Sequence, residues 1–113
     1  MLRAKVITEN ATMVAFLAEK GIQGDVIQNP TENDIVGELI VLMGKLPIQL
    51  AVLAKSLLVP QFQDLPDGRA ATLDELRENF QEILVYKIHS PGPLNFEVHF
   101  LGPVGDVKEL ILT

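Results

Sequence analysis

Ile35-Val36-Gly37-Glu38-Leu39-Ile40-Val41-Leu42-Met43-Gly44-Lys45-Leu46-Pro47-Ile48-Gln49-Leu50-Ala51-Val52-Leu53-Ala54-Lys55-Ser56-Leu57-Leu58-Val59 is the stretch on which the fold turns. It is long and aliphatic enough to raise the question of a membrane span. Glu38, Lys45 and Lys55 lie inside it, and a charge near the middle of a span costs roughly 2.5–3.5 kcal/mol on insertion scales. Gly44-Lys45-Leu46-Pro47 also breaks it, with Gly in the place that ends a helix and Pro in the place that opens one. The reading is therefore two short helices forming an apolar hairpin near 32–59, with no membrane span.

In the first of these helices Asp34, Glu38 and Lys45 leave only a narrow polar stripe; in the second Gln49, Lys55 and Ser56 do the same. Helices apolar nearly all round belong in an interior, and a small domain has little interior in which to hide two of them. The expectation is an interface, with Ile35, Leu39, Leu42, Met43, Leu50, Leu53 and Leu57 as its candidate residues. A homo-oligomer, a dimer or larger, is the simplest way to cover such a surface. A packed monomer is the alternative.

Upstream, Asn10 caps a helix that runs to Lys20 and is closed by Gly21, with Met13, Phe16 and Leu17 on its apolar side. Residues 3–7 either extend that helix or form a strand. Thr31, with Asp34 three positions on, opens the first helix of the apolar hairpin. Downstream, Val59 to Gly68 reads as a loop from its prolines and Asp-Gly. Thr72-Leu73-Asp74-Glu75 is a capping box, and Leu73, Leu76, Phe80, Ile83 and Leu84 follow as one stripe of an amphipathic helix over 72–84.

The period then changes from helical to two. Leu84, Tyr86 and Ile88 alternate with polar neighbours, and after Ser90-Pro91-Gly92-Pro93-Leu94 so do Phe96, Val98 and Phe100. This predicts a C-terminal antiparallel hairpin in which Ile88 faces Phe96, Tyr86 faces Val98 and Lys87 sits opposite Glu97. Residues 106–113 read as a short helix carrying Val107, Leu110 and Ile111; the alternative is a strand that pairs Leu110 with Phe100 and Leu112 with Val98. The fold class is α+β: about four helices, then the hairpin, in one domain that could be a module of a longer chain.

The chain has 113 residues, 48% of them hydrophobic, no cysteine and a net charge of −6. Disulfides, thiolate catalysis and thiolate metal sites are excluded together. Basic residues are scattered, so phosphate-backbone binding is not expected. Ser56 and Ser90 lie outside any Gly-x-Ser-x-Gly elbow, and no glycine-rich phosphate loop is present. His89 and His99 fall about four residues of strand apart in the expected register, roughly 13 Å, which is too far to share a metal. Glu38 is the least implausible catalytic carboxylate, and solvent exposure is the better account of it. No catalytic residue, cofactor or metal is expected.

Asp74, Glu78 and Glu82 recur every four residues and form an acidic ridge on the expected helix, a candidate face for a protein partner. The run Lys87-Ile88-His89-Ser90-Pro91-Gly92 and the strand after it resemble small adaptor modules at the front of bacterial signalling and effector proteins. That likeness covers a short part of the chain and assigns no site. The functional expectation is a cytoplasmic, non-enzymatic interaction or adaptor module that self-associates through 32–59. The alternatives are a structural subunit of a larger assembly, such as a phage or compartment component, and a small ligand binder or enzyme with an apolar pocket.

Overall fold

A computed structural model describes residues 2–8, 10–43, 45–66, 71–92 and 95–104. Its centre is a six-stranded mixed sheet. The elements in order are β1 (Leu2–Ile7), α1 (Ala11–Glu19), β2 (Ile22–Val26), α2 (Glu32–Ile35), β3 (Leu39–Leu42), α3 (Ile48–Ala51), β4 (Ser56–Phe62), α4 (Leu73–Asn79), β5 (Phe80–Gly92) and β6 (Asn95–Val104). The strands lie in the order β2-β1-β3-β4-β5-β6. The first four run parallel; β5 and β6 are antiparallel to their neighbours.

The α+β class and the C-terminal hairpin are as the sequence predicts, but the apolar helical hairpin is not. Most of 32–59 belongs to two parallel strands, β3 and β4, joined by a single-turn α3, with α2 just as short before them. The reason lies in burial. A parallel strand covered on both faces is apolar at every position and loses the alternation that marks a half-buried strand. Adjacent Ile40 and Val41 are both fully buried, yet in different cores. On one side Val41 joins Val6, Ile22, Leu58 and Ile83 beneath α1 and α4. On the other, Ile40 joins Ile7, Ile35, Leu57 and Ile88 beneath α2 and α3.

α1 matches its reading. Asn10 Oδ1 accepts from the Thr12 N–H at 3.0 Å, and Gly21 leaves the helix at φ 86°, where a Cβ would be strained. Residues 3–7 resolve to strand. The Thr31–Asp34 pairing also forms: the Thr31 N–H and hydroxyl donate to Asp34 Oδ2 at 2.9 and 3.0 Å. These bonds hold the Asp34 carboxyl below its ordinary pKa, first through the backbone N–H.

The helix expected over 72–84 stops at Asn79. Its capping box is present, with the Glu75 N–H donating to Thr72 Oγ1 at 3.2 Å and the Thr72 N–H to Glu75 Oε1 at 3.0 Å. Phe80 then turns extended (φ −65°, ψ 131°) and begins β5. The aromatic and β-branched residues that look like a continued stripe, Phe80 and Ile83, instead pair with Phe62 and Pro60 of β4. Pro60, expected in a loop, lies inside β4 beyond the residues that β3 pairs, where the strand is locally an edge and the missing N–H is tolerated. Phe16, Phe62 and Phe80 meet as a three-ring cluster with centroids 5.3–5.8 Å apart.

The hairpin register is displaced by two residues from expectation. Ile88 faces Val98, Tyr86 faces Phe100, and Gly92 faces Asn95 across a shorter connection, with a bulge between Val85 and Tyr86. Slipping by two keeps each side chain on its face, so the apolar pattern cannot distinguish the two registers. Lys87 therefore lies opposite His99, not Glu97, and donates its ammonium to the Ala54 carbonyl. Residues 106–113 lie outside the described residues.

Ile40→Ala and Leu58→Ala remove methyls from opposite cores, so each should cost about 2–5 kcal/mol in urea denaturation. The double variant should equal their sum within about 0.5 kcal/mol. Strong coupling would mean that one core, not two, holds these residues.

Candidate functional site at the strand switch point

Chain order decides where a ligand can enter a sheet of this kind. From β1 the chain goes outward to β2, then returns to the other side of β1 to lay down β3. The connections after β1 and β3 therefore leave in opposite directions, and a crevice opens between the C-terminal ends of the two strands. Met43 N–H donates to the Ile7 carbonyl at 2.9 Å, so the two ends are joined at the floor of that crevice.

A cavity of about 280 Å³ lies there. Thr8, directly after β1, and Asn10, the cap of α1, give it a polar end. Met13 and Met43 flank it, and Leu65, Pro66, Ala71 and Leu76 close it from the β4–α4 side. Thr8 is the one buried polar side chain among the described residues. Its Oγ1 accepts from the Asn10 N–H at 3.1 Å, which leaves the hydroxyl proton to donate. Asn10 spends its Oδ1 on the helix end and keeps its Nδ2 donors. The described lining thus offers donors beside thioether and aliphatic walls, with no titratable group.

Sequence reasoning singled out Asn10 and Met13 as helix cap and core and missed the cavity. The signal was available only with the strand order, because it is the reversal at β1/β3 that brings Thr8 to Met43.

The residues expected to form an interface do not share a surface. Ile35 and Leu57 are buried and Leu42, Leu50 and Leu53 half-buried on the α2/α3 side of the sheet. Leu39 and Met43 pack on the α1/α4 side. The helical stripe that would have united them does not exist, because β3 sends alternate residues to opposite faces.

The acidic ridge is also divided. Asp74 and Glu78 are exposed on α4, whereas Glu82 is on β5 opposite Gln61. Arg77 on α4 binds Asp74 at 2.9 Å and reaches across to Glu19 of α1 with both Nε and Nη2. This fork holds the Glu19 carboxyl below its ordinary pKa, chiefly by its hydrogen bonds, and raises the guanidinium's own. It ties together the two helices that cover one face of the sheet.

His89 and His99 are closer than the sequence predicts. In the displaced register His89 faces Glu97 and His99 faces Lys87, and the two rings stand 6.4 Å apart. His99 Nε2 lies 3.5 Å from Glu97 Oε2. The described residues hold no cluster of three or more groups arranged to bind a metal, and no helix among them is long and apolar enough to cross a membrane.

Comparison of the chain with protein-family models, with curated proteins and with solved structures finds no significant match.

Thr8→Val keeps the shape of the side chain but leaves the Asn10 N–H without its acceptor. It should cost about 1–3 kcal/mol in chemical denaturation, while Thr8→Ser should recover most of that. Arg77→Gln removes the partner that depresses Glu19. A carboxyl depressed in the folded state adds stability above its unfolded pKa and loses it as pH falls through the folded value. The deficit of the variant should therefore be full at pH 7 and shrink as pH falls below 4.5, the ordinary carboxylate value. Parallel stability curves for the two proteins throughout the acid range would show that the fork does not act through Glu19.

Proposed function

We propose that the chain is a non-enzymatic module that binds a small, flat, heteroaromatic molecule of nucleobase size in the switch-point cavity. The observation that carries this reading is the pairing of a buried Thr8 hydroxyl with two methionines at the C-terminal ends of β1 and β3. Open sheets of parallel strands present ligands at that position. A flat ring would lie against the thioethers of Met13 and Met43, which favour aromatic partners and adjust to irregular shapes. Its acceptor edge would meet the Thr8 hydroxyl and the Asn10 amide.

Size and chemistry narrow the class. The volume falls just under the roughly 300–1,000 Å³ of sites for drug-sized ligands, which suits a base or nucleoside fragment better than a dinucleotide. Neither Thr8 nor Asn10, the described residues between β1 and α1, is a glycine that would admit a phosphate close to the backbone. With a net charge of −6, anionic ligands are opposed further. Uncharged heteroaromatics fit all three constraints. The described lining supplies no general acid, base or nucleophile, which favours binding over turnover.

The three methionines make the test direct, since Met13 and Met43 flank the cavity and Met1 starts the chain. With methyl-13C methionine, indole and adenosine at millimolar concentration should shift the Met13 and Met43 signals and leave Met1 in place. Ala71→Phe, which fills the cavity from its lid, should abolish both shifts. Unmoved Met13 and Met43 signals with every uncharged heteroaromatic tried would refute the proposal.

A further inference from the structure

β6 is the outermost strand, and among the described residues nothing pairs with its outer side. It is ten residues long, and Val98, Phe100 and Leu101 are 61%, 54% and 60% exposed. Proteins usually protect such an edge with lysine, proline, a bulge or a covering segment. Gly102 and Pro103 do this at one end, where Gly102 adopts φ 117° opposite the bulge. Asn95 to Phe100 carries no lysine or proline; Glu97 is its one carboxylate, and Leu101, the extra residue of the bulge, follows it.

The sequence of that segment is its own complement. Phe96-Glu97-Val98-His99-Phe100 reads aromatic, acid, aliphatic, base, aromatic about Val98. We propose that β6 pairs antiparallel with β6 of a second copy of this chain, on a two-fold axis through Val98. Glu97 then opposes the second copy's His99 and His99 its Glu97. Phe96 opposes Phe100 twice, and the two Val98 side chains meet on the axis. A carboxylate facing an imidazole N–H donor, and paired aromatics, in directly opposed positions are contacts that stabilise a ladder.

Other registers are worse. Directly opposed residues share a face, so a two-fold axis must pass through a residue and registers move in steps of two. An axis through Glu97 sets two carboxylates against each other; one through His99 sets two imidazoles together and leaves Glu97 facing Leu101. Axes through Phe96 and Phe100 oppose no like polar groups but set Glu97 against Asn95 and His99 against Leu101 respectively; the Val98 axis alone opposes Glu97 to His99.

The faces also agree. Phe96, Val98 and Phe100 lie on the same face as Ile88 and Tyr86, their neighbours on β5, and the Phe100 ring is 5.3 Å from that of Tyr86. Among the described residues nothing covers this apolar strip where it reaches the edge. Pairing joins two such strips and brings the exposed Val98 and Phe100 of each copy against the other. On the opposite face Glu97 already has His89 across the ladder and His99 beside it, and it gains a further imidazole.

The absence of cysteine allows a clean test. Val98→Cys puts both thiols on the axis, so mild oxidation should convert the chain to a covalent dimer. Leu101→Cys is equally exposed but sits about six residues from its mate, roughly 20 Å, and should stay monomeric on the same treatment. Without oxidant, light scattering should show a concentration-dependent dimer that Val98→Lys reduces to a folded monomer. Glu97→His and His99→Glu should each weaken the dimer and the double swap should restore it. Preferential cross-linking through Leu101, or a monomer at every concentration with no Val98→Cys cross-link, would overturn the proposal.

Discussion

Burial of β3 on both faces is the constraint from which the rest of the molecule follows. Ile40 and Val41 are neighbours in the chain and are both fully enclosed, in cores that face opposite ways. A strand in that position needs a strand on each side and a helical layer above and below. β1 and β4 supply the sides; α1 with α4, and α2 with α3, supply the layers. Much of the apolar content of 35–59 is thereby buried within the chain, in two thin cores where a small bundle would have only one. The partnership of α1 and α4 is secured by the three-phenylalanine cluster beneath them and by the Arg77–Glu19 fork at their surface.

Parallel order has a second consequence. Because β2 and β3 flank β1 on opposite sides, the connections after β1 and β3 part at the top of the β1/β3 boundary, and Leu65, Pro66 and Ala71 of the β4–α4 connection close over it. Thr8 and Met43 end the two strands there, and α1 starts beside them with Asn10. The cavity is therefore what remains where two crossovers part and the β4–α4 connection passes beside them. What it selects is decided by a few side chains, and here those are donors and thioethers in place of glycines and lysines. The same sheet with a glycine-rich first turn would suit phosphate.

Helix caps in the sequence proved accurate, whereas the proline signal at Pro60 and the helical stripe beyond Asn79 did not. Caps depend on neighbours a few residues apart, so Asn10, Thr31 and Thr72 could be read directly, and each makes its expected hydrogen bonds. The C-terminal hairpin was legible from its alternation, but its register was not, since a slip of two preserves every face. The stretch 35–59 misled because double-sided burial erases the period that separates strand from helix. Helix α4 shows a competition. Phe80 and Ile83 satisfy a helical stripe and a strand equally, and β4 offers them a partner that isolated helix propensity cannot outweigh. The cavity was illegible for a different reason: Thr8 and Met43 are far apart in sequence, and only the strand order makes them neighbours.

The two edges of the sheet show how differently the same chain treats the same hazard. β2 ends the sheet on one side with five residues, of which Gln23, Asp25 and Val26 are exposed and Gly24 has no side chain. Asp25 is also held 3.7 Å from Lys5 of the adjacent strand, so charge lies along that margin. Short length and charge make it a poor template. β6 ends the other side with ten residues and three large exposed apolar side chains. Inadequate burial cannot explain the difference, because both edges belong to one well-packed sheet and the chain evidently has the means to blunt an edge. The less protected part of β6 is also the part whose sequence is self-complementary about Val98. Pairing of β6 with a second copy, as proposed, would use that symmetry and cover apolar side chains that the described residues leave exposed.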